Sequence, residues 1–406
     1  MHETDYLIIG AGLAGVSAIE GIRKLDPKRS ITLIGAEKHL PYDRPPLSKK
    51  LWLGKKKVED IFLQDQAFYD RNGVKVVLGR TATSLDVRRK EVLDDAATTW
   101  RYGKLLLATG GKPRKLMIPG GDLEKVCTLR TLNDYLRLRD YAVPGSSALV
   151  VGGGFIGSEI AAALTVNKVN VTMVFHGDRL VGSVFPEALG RAIQARYEER
   201  GVRIITGDAP VAIASQRGRL VTTTRGGQSI ESDFIVAGIG VTPAVSLAQQ
   251  AGLTIQRSDA TSADGIKVNA FLQTSDPDVY AAGDNAWWHS PDLQHSLRLE
   301  HWDNALNQGK WAGRNMAGAG EAFDYLPYFF SDLFEFGYEA VGRINGKLDT
   351  VADWKKENDT GVIYYLEKGK VVGVMMCNVW DQVPKARELI RKGTAATPET
   401  LRGAIG

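Results

Sequence analysis

The sequence predicts an α/β fold built on two separate glycine-loop units, and three observations predict it. A strand-like apolar run, Tyr6 to Ile9, leads directly into Gly10, Gly12 and Gly15, spaced G-x-G-x-x-G and followed at once by an apolar-periodic helical stretch. A second apolar run, Ala148 to Val151, leads in the same way into Gly152, Gly154 and Gly157. After each loop and helix the chain returns to a strand-like run, ITLIGAE ending at Glu37 and VTMVF ending at Phe175.

Each element has a physical reason. The first glycine of such a loop permits a tight turn, the second lets backbone approach a pyrophosphate, and the third lets helix and strand pack closely. The helix that follows offers free N–H groups and a positive dipole end to phosphates. Leu13 and Ala14 belong to the first cradle, Phe155 and Ile156 to the second. Glu37, 22 residues past Gly15, is placed to accept from ribose hydroxyls. In the second copy Phe175 stands where the strand is expected to end in an acid, followed by His176, Gly177, Asp178 and Arg179. Both stretches therefore read as Rossmann-type dinucleotide sites, the second with an unusual ribose end. Two dinucleotides in one chain suit a bound flavin and a visiting nicotinamide. Phe175 removes the acid that favours NADH, and His176 with Arg179 could tolerate a 2′-phosphate, but Asp178 could still reach the ribose, so NADH use with only weak discrimination against NADPH is expected.

Composition narrows the class further. A chain of 406 residues suggests two or three domains. At 44% hydrophobic and 24% charged it reads as soluble and globular, and no apolar run approaches the ~20 residues of a membrane span. The net charge of +4 does not point to nucleic acid. Lys55 to Lys57 and Arg88 to Lys90 are short basic runs, readable as solvated loops or as a docking surface for an acidic partner. Cys127 and Cys377 stand 250 residues apart and form no disulfide framework, so a reducing cytoplasm is expected. With a glycine loop at residue 10, no signal peptide is expected. No metal site is expected either, and His289, His295 and His301 read as loop residues.

Further motifs carry a family resemblance from residue 5 to about residue 395. In order they are HLPYDRPPLSKKLW, LLLATGGKPR, LRTLNDY, GIGVTP, DVYAAGDNA, RLEHWDNALNQGKWAGRNMAG and PYFFSDLFEFGYEAVGRI. The chain resembles the FAD-dependent pyridine-nucleotide oxidoreductases, specifically the ferredoxin-reductase branch and the related apoptosis-inducing-factor-like flavoproteins. The resemblance implies that a nicotinamide-binding domain is inserted into a flavin-binding one. The implied segments are 1–115 and 245–320 for FAD, 116–244 for NAD(P)H, and 321–406 for a small α+β C-terminal domain. In that last segment TGVIYYLEKGKVVGVMMCN reads as a hairpin turning at Lys368 to Lys370, and VPKARELIRKG as a helix ended by Gly393.

The resemblance also implies site residues. Lys49 of RPPLSK would lie beside flavin N5 and pair with Glu159, a cation there stabilising the anionic reduced flavin. Asp284 would bond the ribityl chain. Arg44, Ala82, Ala108, Thr109, Gly110 and Arg130 carry over as flavin contacts, and Gly240 of GIGVTP as part of the nicotinamide site with His176 and Arg179. Trp302 would face the isoalloxazine. Glu300 and His301 mix the patterns of the two branches. RPPLSKK holds no cysteine, so no dithiol relay is expected there.

The implied activity is hydride transfer from NAD(P)H to FAD, then single-electron transfer to a small acidic iron–sulfur protein of the ferredoxin type. Two alternatives stand beside it: a slow, NADH-sensing flavoprotein of the apoptosis-inducing-factor type, and a monodehydroascorbate- or quinone-type reductase. Monomer and homodimer both remain open.

Overall fold

The computed structural model describes residues 1–257, 264–393 and 395–405. The chain divides into two compact units. The first comprises Met1–Asp43, Val58–Lys112 and Thr242–Pro327, and the second Arg44–Lys57, Pro113–Val241 and Tyr328–Gly406. The RPPLSKK segment, which the sequence reading places in the first flavin segment, is thus part of the second unit.

The first unit is built on a parallel sheet in the order Val74–Leu78, Ile31–Gly35, His2–Ile9, Thr99–Leu107, Val279–Ala281. Its central strands are apolar because helices cover both faces of such a sheet. Leu7, Ile8 and Leu105 to Leu107 are fully buried, each worth about 1.5–3 kcal/mol relative to exposure. Ala82–Asp86 and Glu91–Asp94 add an antiparallel edge.

Two helices of this unit, Leu13–Arg23 and Trp302–Met316, pack backbone against backbone. A Cβ on Gly309 would stand 2.3 Å from the Ala14 carbonyl oxygen, and one on Gly313 would stand 2.1 Å from that of Ala18. From the opposite side, a Cβ on Gly21 would stand 2.3 Å from the Lys310 oxygen. The helix that leaves the first glycine loop is therefore seated directly on the helix that begins at Trp302.

The second unit holds its own parallel sheet, in the order Arg203–Thr206, Asn170–Phe175, Ser147–Val151, Phe234–Ala237, Val126–Cys127. A three-stranded antiparallel sheet, Pro210–Gln216, Arg219–Thr224 and Ser229–Ser232, accompanies it. The C-terminal part is a five-stranded antiparallel sheet in the order Tyr328–Leu333, Phe336–Gly342, Lys370–Cys377, Thr360–Glu367, Asp349–Lys356. Its hairpin turns where the sequence places it, between Glu367 and Lys370, with Lys368 and Gly369 at positive φ. The Val383–Lys392 helix ends on Gly393 in the left-handed conformation, which glycine adopts without a steric penalty.

Within PYFFSDLFEFGYEAVGRI, Phe336 and Tyr338 are fully buried, whereas Phe329 and Phe330 are only partly covered. Two histidines read as loop residues lie instead on short strands, His289 on Ala286–Ser290 and His295 on His295–Leu297. These strands form an antiparallel pair that leaves both side chains exposed, so no apolar alternation marks them in the sequence.

Candidate dinucleotide sites and a buried ion pair

In the first unit, the glycine loop is fixed by two backbone bonds, Gly10 N–H to the Ile34 carbonyl at 2.8 Å and Ala108 N–H to the Ile9 carbonyl at 2.8 Å. Gly10 has φ +120°, and a Cβ there would lie 2.1 Å from the Ala108 oxygen. A Cβ on Gly15 would lie 2.2 Å from the Gly10 oxygen. Gly12, by contrast, faces open space and is the N-cap of its helix, in extended conformation with no side-chain cap. Two glycines are required by the protein's own backbone, and the third leaves a cradle at a helix N-terminus that fits a pyrophosphate.

Around that loop lie the other predicted residues of the unit. Ala14 is buried behind it and Leu13 half-buried. Glu37 stands two residues past the strand rather than at its last position, and accepts from the Tyr42 hydroxyl. Ala108, Thr109 and Gly110 follow the Thr99–Leu107 strand, with the Thr109 hydroxyl donating to the Ala244 carbonyl at 2.6 Å. Wholly buried Asn285 donates to Thr109 Oγ1 at 2.8 Å and to the Leu107 carbonyl at 3.1 Å. Gly283 N–H donates to Gln308 Oε1 at 2.9 Å, and Arg298 donates to the Asp284 carbonyl at 2.7 Å and pairs with Glu300. Trp302 Nε1 donates to Asp43 at 2.7 Å. Burial holds the His301 imidazole down at about 4, against the opposing pull of the Asp284 charge, so the ring is neutral at neutral pH. Ala82 begins an edge strand and is half-exposed.

The second unit repeats the loop with the same bonds. Gly152 N–H donates to the Val174 carbonyl at 2.9 Å and Gly238 N–H to the Val151 carbonyl at 2.8 Å. A Cβ on Gly152 would lie 2.3 Å from the Gly238 oxygen, and one on Gly157 would lie 2.0 Å from the Gly152 oxygen, while Gly154 faces open space. The Phe155–Val166 helix begins there without a side-chain cap. Phe155 meets Phe329 edge-on at 5.5 Å, and Ile156 is exposed. Gly240 has φ +91°, with its carbonyl accepting from Arg114 N–H at 2.9 Å.

The ribose end departs from the sequence reading. The loop bonds set Val174 opposite Ile34, so Phe175 matches Gly35, and the residue matching Glu37 is Gly177. Phe175 is buried with its ring on Gly153, where a Cβ would come within 2.7 Å of the ring. Neither of the two positions therefore offers an acid. His176 is exposed, and Arg179 is largely covered.

Lys49 and Glu159 meet in this unit as a buried ion pair, Nζ to Oε1 3.0 Å, with 9% and 7% of their side chains exposed. Glu159 is on the second turn of the glycine-loop helix and Lys49 just past the 45–48 turn. Two hydroxyls complete the carboxylate: Ser48 donates to Oε2 at 2.6 Å and Ser331 to Oε1. Lys49 Nζ also stands 4.8 Å from the centre of the Phe330 ring. Buried Tyr197 and Tyr338 are pushed well up by burial, with the Glu159 charge adding to the effect, so both phenols stay neutral. Arg44 donates to the Arg130 carbonyl, and Arg130 N–H to the Asp134 carboxylate at 3.0 Å.

Sequence reasoning missed Ser331, for which no local signal exists, and the Gly309–Gly313 seam, which its G-x-x-x-G spacing could have revealed. Ser48 was visible only as the neighbour of Lys49. Among the described residues no cluster suits a metal ion, and no helix is long and apolar enough to cross a membrane.

Residues 4–309 match the family model described as pyridine nucleotide-disulphide oxidoreductase. The chain belongs to this family. It is an FAD-dependent oxidoreductase of pyridine nucleotides. Within this oxidoreductase, residues 312–360 and 352–392 match the C-terminal model of mitochondrion-associated apoptosis-inducing factor. It is 34% identical, over 99% of its length and 97% of the relative, to the ferredoxin–NAD(+) reductase component of the anthranilate 1,2-dioxygenase system of Burkholderia cepacia. It is 31% identical to mitochondrial apoptosis-inducing factor 1 of Dictyostelium discoideum, over 97% of the chain and 79% of the relative. A covalent putidaredoxin reductase–putidaredoxin complex superposes with TM-score 0.90 at 28% identity, covering 99% and 96% of the two chains.

Proposed function

We propose that this oxidoreductase takes electrons from NAD(P)H and delivers them one at a time to a small acidic iron–sulfur protein. The full-length likeness to a ferredoxin reductase supports this reading most. When bound, a flavin supplies the chemistry that joins a two-electron donor to a one-electron acceptor.

The chain's own residues take defined parts in this proposal. The cradle at Gly12 holds the FAD pyrophosphate and Glu37 its ribose; the cradle at Gly154 holds the nicotinamide dinucleotide. Lys49 supplies a fixed positive charge to the reacting centre, and a preorganised charge in a water-poor site is the largest lever a protein has on such a step. Glu159 holds that charge in place, and the hydroxyls of Ser48 and Ser331 hold Glu159. Cys127 and Cys377 take no part: neither lies in the 44–57 segment, both are buried, and burial pushes both thiols up, away from the reactive thiolate. We read the protein as cytoplasmic, where such thiols stay reduced.

A second reading, a slow NADH-responsive flavoprotein, draws on the match of the C-terminal segment to apoptosis-inducing factor. Stopped-flow reduction by NADH, followed by mixing with a ferredoxin, a quinone and dioxygen, decides between them. Saturable, salt-dependent reoxidation by the ferredoxin supports the proposal. Slow reoxidation by every acceptor supports the second reading.

A further inference from the structure

Past the Asn170–Phe175 strand the carboxylate and guanidinium side chains up to residue 191 are Asp178, Arg179 and, from the Glu187–Glu199 helix, Glu187 and Arg191. Arg179 Nη1 donates to both Asp178 oxygens, at 2.9 and 3.0 Å. Arg191 Nη2 stands 3.8 Å from the same carboxylate and 2.8 Å from Glu187. Arg179 is fixed, with 14% of its side chain exposed. Its stem fills the space that a Cβ on Gly182 or Gly190 would need. Asp178 and Arg191 are open, at 61% and 58%.

An unshared carboxylate at a strand end accepts from both ribose hydroxyls and repels a 2′-phosphate. Here Phe175 and Gly177 leave that place without an acid. The nearest carboxylate is instead shared between two guanidinium groups, which weakens its repulsion of an anion. An exposed guanidinium beside it matches the geometry of a phosphate.

We propose that Arg179, Asp178 and Arg191, with Glu187 as the second carboxylate on Arg191, form a ribose reader that admits NADPH as well as NADH. Asp178 takes the 2′-hydroxyl of one and Arg191 the 2′-phosphate of the other, while Arg179 holds Asp178 in place. The proposal rests on the second glycine loop being the nicotinamide-dinucleotide site.

The test uses the FAD-loaded protein, with kcat/KM for NADH and NADPH against ferricyanide. Calorimetric titration with 5′-AMP and 2′,5′-ADP gives a readout independent of turnover. The two coenzymes are expected within about tenfold of each other, and Arg191→Ala is expected to shift both the kcat/KM ratio and the nucleotide-affinity ratio about tenfold away from the phosphorylated form, the scale of one charge-assisted bond. Asp178→Asn shifts both ratios the opposite way. Equal losses on both coenzymes, unchanged ratios, or a wild-type preference of about a thousandfold, which is some 4 kcal/mol, overturn the proposal. Failure of the underlying reading looks different: wild-type protein binds neither nucleotide, and neither coenzyme reduces the flavin.

Discussion

The two glycine loops share one backbone plan and differ in what stands beside it. In both, the first glycine donates to the neighbouring strand and the third has no room for a Cβ, while the second opens outward. The bulk next to the loop is exchanged. In the first unit Gly35 leaves room for Ala11, where a Cβ would come within 2.4 Å of the alanine methyl. In the second the positions reverse, and Phe175 covers Gly153. Glu37 in the first is matched by Gly177 in the second. The first and third glycines of each loop are fixed by backbone that leaves no room for a Cβ, whereas the strand end beside the loop is set by side chains and differs between the two units.

The hardest way to break the comparison is at a closed glycine. Gly313→Ala and Gly152→Ala each drive a methyl into a carbonyl oxygen. Each should cost at least ~2–3 kcal/mol of stability, lowering the urea midpoint of unfolding. Midpoints equal to wild type would refute the steric account of both units.

A smaller effect on stability but a large one on turnover is expected at the ion pair. Lys49→Ala should slow flavin reduction by about a hundredfold while FAD content per chain stays near wild type. Normal reduction by NADH would remove Lys49 from the proposed role. Removing one carboxylate partner, Ser331→Ala, should produce a lesser slowing in stopped-flow reduction, with Ser331→Thr restoring the rate.

The open glycines sharpen the comparison more gently. Gly12→Ala should weaken FAD retention and leave the NADH KM alone, and Gly154→Ala should do the reverse, each by about tenfold. Dialysis followed by flavin absorbance, and steady-state kinetics, read the two effects separately. Identical phenotypes would mean that the loops do not divide the two dinucleotides as proposed.

The smallest effect is a pH dependence confined to the first unit. The folded His301 is held at about 4, below its unfolded value near 6.5. The unfolded chain therefore binds more protons between these values, and stability contributed by the neutral ring is present above 6.5 and lost as pH falls toward 4. His301→Asn should flatten the urea midpoint across that window, and an unchanged slope would count against it.

Much of this was legible in the sequence, and the reason differs by element. Three glycines at fixed spacing between an apolar strand and a helix leave one low-energy local geometry, so both loops could be read from their residues. The hairpin at Lys368 to Lys370 and the helix stop at Gly393 are likewise local, decided by turn chemistry within a few residues. A family resemblance supplied Lys49 and Glu159 as a pair. It could not supply Ser331, which lies 172 residues from the carboxylate it holds, on a strand of another sheet. The strand pattern, for its part, misplaced the ribose end, because it put Phe175 in the acid's position where the loop bonds match it with Gly35.

The sequence by itself determined the two glycine loops, the C-terminal hairpin and the helix stop at Gly393, and the lack of cysteine in RPPLSKK, since each is written in contiguous residues. Only the tertiary structure decided that Phe175 matches Gly35 and roofs Gly153, that two serines close the Lys49–Glu159 pair, and that Asp178 is shared between two arginines. These depend on strand register, on hydroxyls 111 and 172 residues from the carboxylate they hold, and on a helix that brings Arg191 back to Asp178, which no local pattern encodes.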